Sequence, residues 1–433
     1  ASSRFADGHR WGYFPSFSAG WRVSEEAFME GTKSWLSNFK IRGSWGQLGN
    51  QEALSDYYPA INTYSINAKY AFDGKVTSGY YQSSYKINTI TWEKATTWGV
   101  GVDLGFLDNK ITASVDYYNR LTDGILISVD APYEFALGSY LDNVGQMRNQ
   151  GFEMSLNYND KFGEVTVGAG LNVAYNKNKI ESMPGKGYVG TGYNQRNATG
   201  QEFNSYYVYK ADGFFQSDAE AEEYMNKYWP ADGSKGACPF GGGSFKAGDL
   251  RYADINGDGK IDINDRTVVG NTNPKVQGGF GLSGKWKNFD FTANFTYMLD
   301  FDVINATAYQ LSSAKGASQT NPRNVLKKFD YNNRWVYHGD IYIENADGTK
   351  SIYNLNECLL GNSQHIDYLD IYEELNAGKT LWNPQDVTKN YTLSNFVEDG
   401  SFLRLNDLTI GYTLPTTLTK KWGISRLRLY VTG

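Results

Sequence analysis

The sequence predicts an all-β protein, a transmembrane antiparallel β-barrel with long extracellular loops, and three observations support that prediction. Apolar and polar side chains alternate strictly along strands that often run to roughly ten residues or more, whereas strands of globular proteins are usually shorter. The apolar face often ends in an aromatic residue, and the opposite face is polar enough to line water. Short turns alternate with long loops, as is typical of outer-membrane barrels.

The composition agrees with a β structure that is rich in turns. The 433 residues include 33 Tyr, 23 Phe, 11 Trp and 47 Gly, but only 10 Pro. Mean hydropathy is −0.53, and no apolar run approaches the ~20 residues of a membrane helix. A transmembrane helix is therefore excluded, while a barrel is not, because its alternating strands average out as polar. The net charge of −6 and the absence of a basic run argue against nucleic acid as a partner.

The hairpin over residues 97–118 shows the alternation most clearly. Trp98, Val100 and Val102 begin one apolar face, a turn at Asp108 and Asn109 follows, and the return strand alternates again. The pattern recurs over residues 39–45, 152–175, 280–297 and 408–431. Two short helices are predicted in addition, Val23–Glu30 and a second that begins with a capping box formed by Ser217 and Glu220.

The connections fall into two sets. Residues 107–110, 159–163, 287–288 and 415–423 are short, and residues 51–90, 123–148, 179–275 and 303–398 are long. Loops of the second length are uncommon inside compact domains. A soluble β-sandwich or jelly roll and a propeller or β-solenoid remain alternatives, although no repeat of propeller-blade length is visible.

The stretch DINGDGKIDIND, residues 254–265, has the pattern of a calcium loop. Its candidate ligands are Asp254, Asn256, Asp258, Lys260 (through its carbonyl), Asp262 and Asp265. Gly259 allows the sharp turn, and Ile261 is expected to pin the loop to apolar surface. Position 12 is Asp rather than Glu, which makes two-oxygen coordination harder. The alternative is a turn whose side chains cap their own backbone. Without flanking helices, a calcium here would brace a long segment rather than act as a sensor.

Other chemistry-bearing residues are scattered. Cys238 and Cys358 could form a disulfide or remain two thiols, and the three histidines show no zinc spacing. Asp103, Asp116 and Asp290 lie on polar strand faces, where they are expected to be solvated rather than to form a catalytic pair. No nucleophile, base and acid group together, so an enzyme is not predicted.

Several ordered stretches resemble one known family. They are SSRF…GYFPSFSAGWRVSEE (Ser2–Glu26), WLSNFKIRGSWGQLGNQ (Trp35–Gln51), NQGFEMSLNY (Asn149–Tyr158), the calcium-type loop with its extension (Asp254–Gly281), SFLRLNDLTIGYTLP (Ser401–Pro415) and the closing RLRLYVTG. Together they resemble the SusC/RagA group of TonB-dependent outer-membrane transporters.

The resemblance implies that residues 1–433 are the C-terminal part of such a barrel. About eleven or twelve strands are visible, against roughly 22 in a plugged transporter barrel. The family's signal, TonB box and plug domain have no counterpart in this chain. Residues 179–275 would form a long extracellular insert, which the calcium-type loop would brace.

The resemblance further implies import of a glycan or an oligopeptide across the outer membrane of a Gram-negative bacterium. TonB would supply the energy, and a SusD-like lipoprotein would sit as a lid over the barrel. The candidate substrate-binding residues are Tyr57, Tyr58, Tyr80, Tyr81 and Tyr193, for which loop packing or lipoprotein contact is the alternative. A soluble, calcium-stabilised glycan-binding β protein and a passive porin-like channel remain alternative functions.

Overall fold

Ten strands form one open antiparallel sheet, in which each strand pairs with the next of the ten along the chain. They are β1 (Ser16–Arg22), β2 (Leu36–Asn50), β3 (Glu93–Phe106), β4 (Ile111–Asp130), β5 (Ser139–Phe162), β6 (Val165–Ser182), β7 (Val276–Trp286), β8 (Phe289–Leu299), β9 (Phe402–Thr413) and β10 (Arg428–Thr432). This meander confirms the strands that the alternation predicts.

The computed structural model describes most, but not all, of the chain. The described residues are 1–52, 54, 56–82, 85–132, 134, 138–184, 195–230, 233–234, 238, 240, 245–312, 326–329, 333–335, 342–344, 350–352, 376–383 and 394–433. Within them the large sheet has ten strands, against the eleven or twelve that the sequence indicates.

The division into short and long connections is largely confirmed, although the predicted short connection 415–423 lengthens to 414–427. The turns at 107–110 and 287–288 are as short as predicted, and the turn after β5 tightens to Gly163, at φ +60°, and Glu164. The prediction of a long loop over 123–148 is wrong. Strands β4 and β5 keep pairing as far as Asp130 and Ser139, because register shifts beside Asp123 and Ile125 absorb the irregular sequence there.

Aromatic residues form two belts on the apolar face of the sheet. Near the long loops, Phe17 stacks on Trp45, and Trp98 packs against Tyr117. Near the short turns, the rings of Trp35 and Phe106, of Trp286 and Phe289, and of Phe289 and Tyr412 are neighbours. The eight residue steps along β3 between the belts correspond to about 27 Å along the strand, or roughly 20 Å of height at the usual strand tilt, which is comparable with the apolar band of an outer-membrane barrel.

The polar face is held by ion pairs rather than by water alone. Arg42 Nε lies 2.9 Å from Asp103 Oδ2, and its Nη2 lies 2.7 Å from Asp116 Oδ2. Arg428 Nε donates to Asp290 Oδ1 at 3.0 Å. These three carboxylates stay partly exposed on the polar face, as the sequence indicates, but each of them also pairs with an arginine across the sheet, which the sequence did not reveal.

Smaller elements fill the connections. The helices are Asp218–Tyr228, Ala306–Leu311 and Thr416–Thr419, and the 3-10 helices are Val23–Glu25, Ala27–Thr32, Ile263–Asp265, Lys327–Phe329, Ser394–Phe396 and Lys420–Trp422. The other strands among the described residues are Tyr64–Phe72, Lys75–Gln82, Gln195–Arg196, Ser205–Tyr209, Ala211–Phe214, Leu250–Tyr252, Arg266–Gly270, Asp302–Ile304, Tyr342–Glu344, Lys350–Ile352 and Val397–Asp399. None of the described helices has the length and apolar character needed to cross a bilayer.

The predicted helix after β1 differs in type from the expectation. Residues Val23–Glu25 and Ala27–Thr32 form two 3-10 helices, because Glu26 between them has an extended backbone (φ −75°, ψ 144°) that interrupts the helix.

Candidate functional site

The described parts of the two longest connections, 183–275 and 300–401, pack around one aromatic core. The buried residues of that core are Tyr209, Phe215, Ala221, Tyr224, Tyr228, Trp229, Phe240, Phe245, Leu250, Tyr252, Ile261, Ala308, Phe329, Trp382 and Phe396. The last four come from the second connection and the others from the first. We call the described parts of these two connections the loop module.

Main-chain hydrogen bonds and ring contacts join the two halves of the loop module. Ala211 N donates to Ser394 Oγ at 3.1 Å, and Asn383 N donates to Gly248 O at 2.9 Å. The ring of Phe214 meets Trp335 edge to face, with centroids 5.8 Å apart. Each half therefore supplies both apolar surface and hydrogen-bond partners to the other.

Gly248 in one half packs tightly against Trp335 in the other. Its φ of +86° lies in the left-handed region, and a Cβ on it would come within 2.2 Å of Trp335 Cδ1. Only glycine satisfies both the backbone and the contact without displacing the indole.

The helix Asp218–Tyr228 presents its buried face to this core. Glu220 N donates to Ser217 Oγ at 3.1 Å, which confirms Ser217 as the N-cap. The Glu220 carboxylate accepts from Gln216 N at 2.7 Å, one residue before the position that a capping box requires. It also accepts from Arg251 Nη1 at 2.6 Å, so the start of the helix is tied to the strand Leu250–Tyr252. The prediction of a capping box is therefore wrong in one respect, because the Glu220 side chain does not accept from the backbone N–H of Ser217.

Tyr224 connects the same helix to the same strand from inside the core. Its hydroxyl donates to Tyr252 O at 2.7 Å and accepts from Tyr252 N at 3.1 Å. Burial raises the pKa of the Tyr224 phenol far above its usual range. The phenol therefore stays neutral, and both hydrogen bonds persist at every physiological pH.

The calcium-type loop is curled by backbone hydrogen bonds to its own acidic side chains. Asp254 accepts from Gly257 N at 2.7 Å and from Gly259 N at 3.0 Å, and Asp258 accepts from Lys260 N at 2.9 Å. Both glycines have left-handed backbones, with φ of +71° and +75°. Asn256 accepts from Asp258 N at 2.9 Å. Four of the six candidate ligands therefore lie in one tight turn.

The other two acidic candidates close the end of the loop. Asp265 is fully buried and accepts from Ile255 N at 3.0 Å and from Asp262 N at 2.7 Å. Asp262 in turn accepts from Asn264 N at 2.8 Å. Within the described residues, no three His, Cys, Asp or Glu side chains converge on a common point that could hold a metal ion. The carboxylates cap the loop backbone, so binding an ion would require some of them to turn.

Ile261 anchors the loop in the loop module. Its side chain is only 1% exposed and belongs to the aromatic core, which confirms the expectation that it pins the loop to apolar surface. A cavity of about 450 Å³ lies beside the loop, and Asp254, Glu223, Lys227 and Tyr224 are among its lining residues. Asp254 therefore borders both the loop and an open space.

The tyrosine candidates lie in the connection between β2 and β3. Tyr57, Tyr58, Tyr80 and Tyr81 are all more than half exposed. Arg4 lies over the ring of Tyr57 at 4.9 Å, whereas Tyr80 meets Tyr64 edge to face at 6.5 Å. Tyr57 and Tyr80 thus contact different neighbours. Tyr80 and Tyr81 are adjacent in one hairpin strand, so their side chains point to opposite faces of it.

Two predictions fall outside the described residues. Tyr193 lies there, and so does Cys358. Cys238 Sγ donates to Phe240 O at 3.5 Å, beside the aromatic core.

Sequence reasoning missed the residues that join the loop module. Phe329, Trp382 and Phe396 lie in short segments without alternation, so no periodic pattern singled them out. Their aromatic character was the only signal, and it does not name a partner more than 100 residues away.

Comparisons with known proteins agree with this architecture. Residues 1–273 match the family model described as TonB dependent receptor-like, beta-barrel. TonB-dependent receptor P3 of Formosa agariphila is 25% identical over 100% of this chain and 38% of its own length. TonB-dependent receptor SusC of Bacteroides thetaiotaomicron is 27% identical over 95% of this chain and 35% of its own length.

A solved structure shares the fold. The structure of the RagAB peptide transporter aligns with a TM-score of 0.67 and 23% identity, over 99% of this chain and 40% of that chain. This chain spans less than half the length of the curated relatives it matches.

Proposed function

The chain belongs to the TonB-dependent receptor-like β-barrel family, and on that premise we propose that it forms part of the wall of a transporter for a large nutrient. The membership confirms the resemblance to the SusC/RagA group and the outer membrane of a Gram-negative bacterium as the location. The proposed cargo is a glycan or an oligopeptide, imported with energy from TonB and with a SusD-like lipoprotein as partner. No catalytic role is proposed.

The observation that supports transport best is the two-sided sheet. Its apolar face has two aromatic belts, and its polar face has ion pairs such as that of Arg42 with Asp103. A wall of this kind separates lipid from a water-lined interior. Long connections on one side of it would meet the cargo and the lipoprotein.

Uptake by living cells tests the proposal. Cells that lack the gene and cells that express the full-length protein are fed separate pools of oligosaccharides and of peptides, with and without an uncoupler of the proton gradient. We expect the expressing cells alone to deplete one pool, and the uncoupler to abolish depletion. Depletion that survives the uncoupler would support a passive channel instead, and no depletion of either pool would contradict transport.

We also propose that the loop 254–265 binds calcium, which would brace the loop module. Oxygen donors dominate the loop, and two left-handed glycines set its curl. Asp254, Asn256, Asp258, Lys260, Asp262 and Asp265 would be the ligands. Because Ile261 lies in the aromatic core, an ion in the loop would also hold that core in place.

Replacing Asp254 and Asp258 by Ala tests the calcium proposal. In the unchanged protein, saturating calcium should slow hydrogen exchange in residues 245–270 by an order of magnitude or more, since a ligand at about 100 times its Kd stabilises by about 2.7 kcal/mol. The double variant should lose that response and co-purify with less lipoprotein. Asn264→Ala, which alters an exposed non-ligand position of the same loop, is the control. A response that persists in the double variant would refute the site.

The exposed tyrosines remain our candidates for cargo contact. Tyr80→Ala and Tyr81→Ala should lower uptake without changing the yield of the lipoprotein complex, because an exposed ring offers a face for stacking. Tyr70→Ala, on the same hairpin and with an exposure between those of Tyr80 and Tyr81, is the control. A loss of complex with normal uptake per complex would favour lipoprotein contact instead.

A further inference from the structure

The connection between β9 and β10, residues 414–427, differs chemically from its neighbours. It contains Lys420, Lys421 and Arg426 but no Asp or Glu. Trp422 is 59% exposed, and Leu418 and Ile424 are also well exposed. We call the whole connection, residues 414–427, the basic turn.

Two lysines of the neighbouring short turns are each paired with a carboxylate from an adjacent turn. Lys110 Nζ lies 2.9 Å from Asp160 Oδ1, and Lys287 Nζ lies 3.5 Å from Glu164 Oε2. Across the part of the chain that the structure describes, Lys420 and Lys421 make no such ion pair. The basic turn therefore presents uncompensated positive charge on this side of the sheet.

The backbone of the basic turn is well defined by hydrogen bonds. The helix Thr416–Thr419 continues into the 3-10 helix Lys420–Trp422, which ends at Gly423 in the left-handed region. Gly423 N donates to Lys420 O at 3.1 Å, and Ile424 N donates to Thr419 O at 3.0 Å, while the Thr419 side chain is buried. Lys420, Lys421 and Trp422 therefore extend from a single hydrogen-bonded segment of backbone.

The position of the basic turn matches a membrane surface. Tyr412, at the end of β9, lies 4.7 Å from Phe289 in the aromatic belt near the short turns and pairs with Leu429 of β10. The basic turn lies immediately beyond that belt. Tryptophan and lysine are favoured at the level of lipid headgroups, and the short turns of outer-membrane barrels face the periplasm.

We propose that the basic turn binds the headgroup of an anionic phospholipid in the periplasmic leaflet of the outer membrane. Lys420 and Lys421 contact the phosphate, and Trp422 lies at the boundary between headgroup and acyl chain. The charge of the basic turn selects the anionic lipid, and its continuity with the aromatic belt places the turn against the leaflet. This site is independent of the cargo that the transporter carries.

Native mass spectrometry of the full-length protein in detergent tests the proposal, with dioleoyl phosphatidylglycerol as the probe and dioleoyl phosphatidylcholine as its zwitterionic match. The variant with Lys420→Gln and Lys421→Gln should bind phosphatidylglycerol roughly 25-fold more weakly, since each lysine near an anionic surface contributes about fivefold. Binding of phosphatidylcholine should stay unchanged.

Two further variants separate charge from mere exposure. Lys287→Gln removes a lysine that is already paired with Glu164 and should change the affinity for phosphatidylglycerol by less than about twofold. Replacing both basic-turn lysines by Arg should preserve binding. Equal affinity of the Gln variant and the unchanged protein for phosphatidylglycerol would overturn the proposal, as would an acidic periplasmic protein that co-purifies through the same two lysines.

Discussion

The wall and the loop module place their large apolar side chains in opposite ways. In the wall, Trp98 and Leu156 remain 43% and 38% exposed, although they belong to a regular sheet. In the loop module, Phe329 and Phe396 are almost completely buried, although they lie in irregular connections. The difference follows from the solvent, because lipid covers the apolar face of the wall, whereas the loop module must exclude water with its own residues.

The two regions also differ in how far along the chain their contacts reach. Every pairing in the wall joins consecutive strands, such as β3 with β4 or β7 with β8. The loop module joins residues that are far apart, as in the hydrogen bond from Ala211 N to Ser394 Oγ. Local hairpins therefore define the wall, while the loop module forms only when two distant connections meet.

The largest effect is expected from Phe396→Ala, which tests whether the two halves of the loop module form one unit. Phe396 packs against Trp382 and Tyr309, and removal of a buried Phe costs roughly 3–5 kcal/mol. Hydrogen exchange should accelerate together in residues 205–215 and 302–311, while strands β3–β6 stay protected.

The control for this experiment is Phe203→Ala, an aromatic residue in the other connection of the loop module that is 39% exposed. It should leave exchange in both segments nearly unchanged. If Phe396→Ala loosens only residues 302–311, the two connections fold separately, and the comparison between a locally built wall and a jointly built loop module fails.

The sequence predicted the wall well because its information is local. Alternation of period two is visible within a single strand, and the polar residues opposite it identify the water-lined face, as at Thr112, Ser114 and Asp116 of β4. The error at 123–148 arose where register shifts break the alternation between Asp123 and Leu126 although the pairing continues.

The sequence could not predict the loop module, for the converse reason. The calcium-type pattern identified residues 254–265 and the burial of Ile261, because both depend on neighbours in the chain. The partners of Ile261 in the core, Trp382 and Phe396 among them, depend on a contact that no periodicity records. The ion pairs of Arg42 were missed for a similar reason, because only the register of the strands shows which carboxylates Arg42 faces.

A charge on the apolar face tests the other side of the comparison. Leu156→Arg places a cation at mid-height between the aromatic belts, which costs roughly 2–4 kcal/mol in a lipid-facing strand. Ser155→Arg, one residue earlier and on the polar face, should cost much less, because that face lines water. Urea unfolding of the full-length protein in lipid vesicles measures both variants. Equal destabilisation would mean that the apolar face does not contact lipid.

The smallest of these effects is expected from Gly248→Ala, which targets the contact between the two connections without removing any core residue. The left-handed backbone alone makes alanine unfavourable by roughly 1 kcal/mol, and the clash with Trp335 adds to that cost. Gly200→Ala separates the two causes, because Gly200 has nearly the same φ, +87°, but open space around its Cβ position. Proteolysis of the loop module should therefore accelerate more for Gly248→Ala than for Gly200→Ala. If both variants accelerate it equally, the backbone accounts for the whole effect, and the approach of Gly248 to Trp335 contributes nothing to joining the two halves.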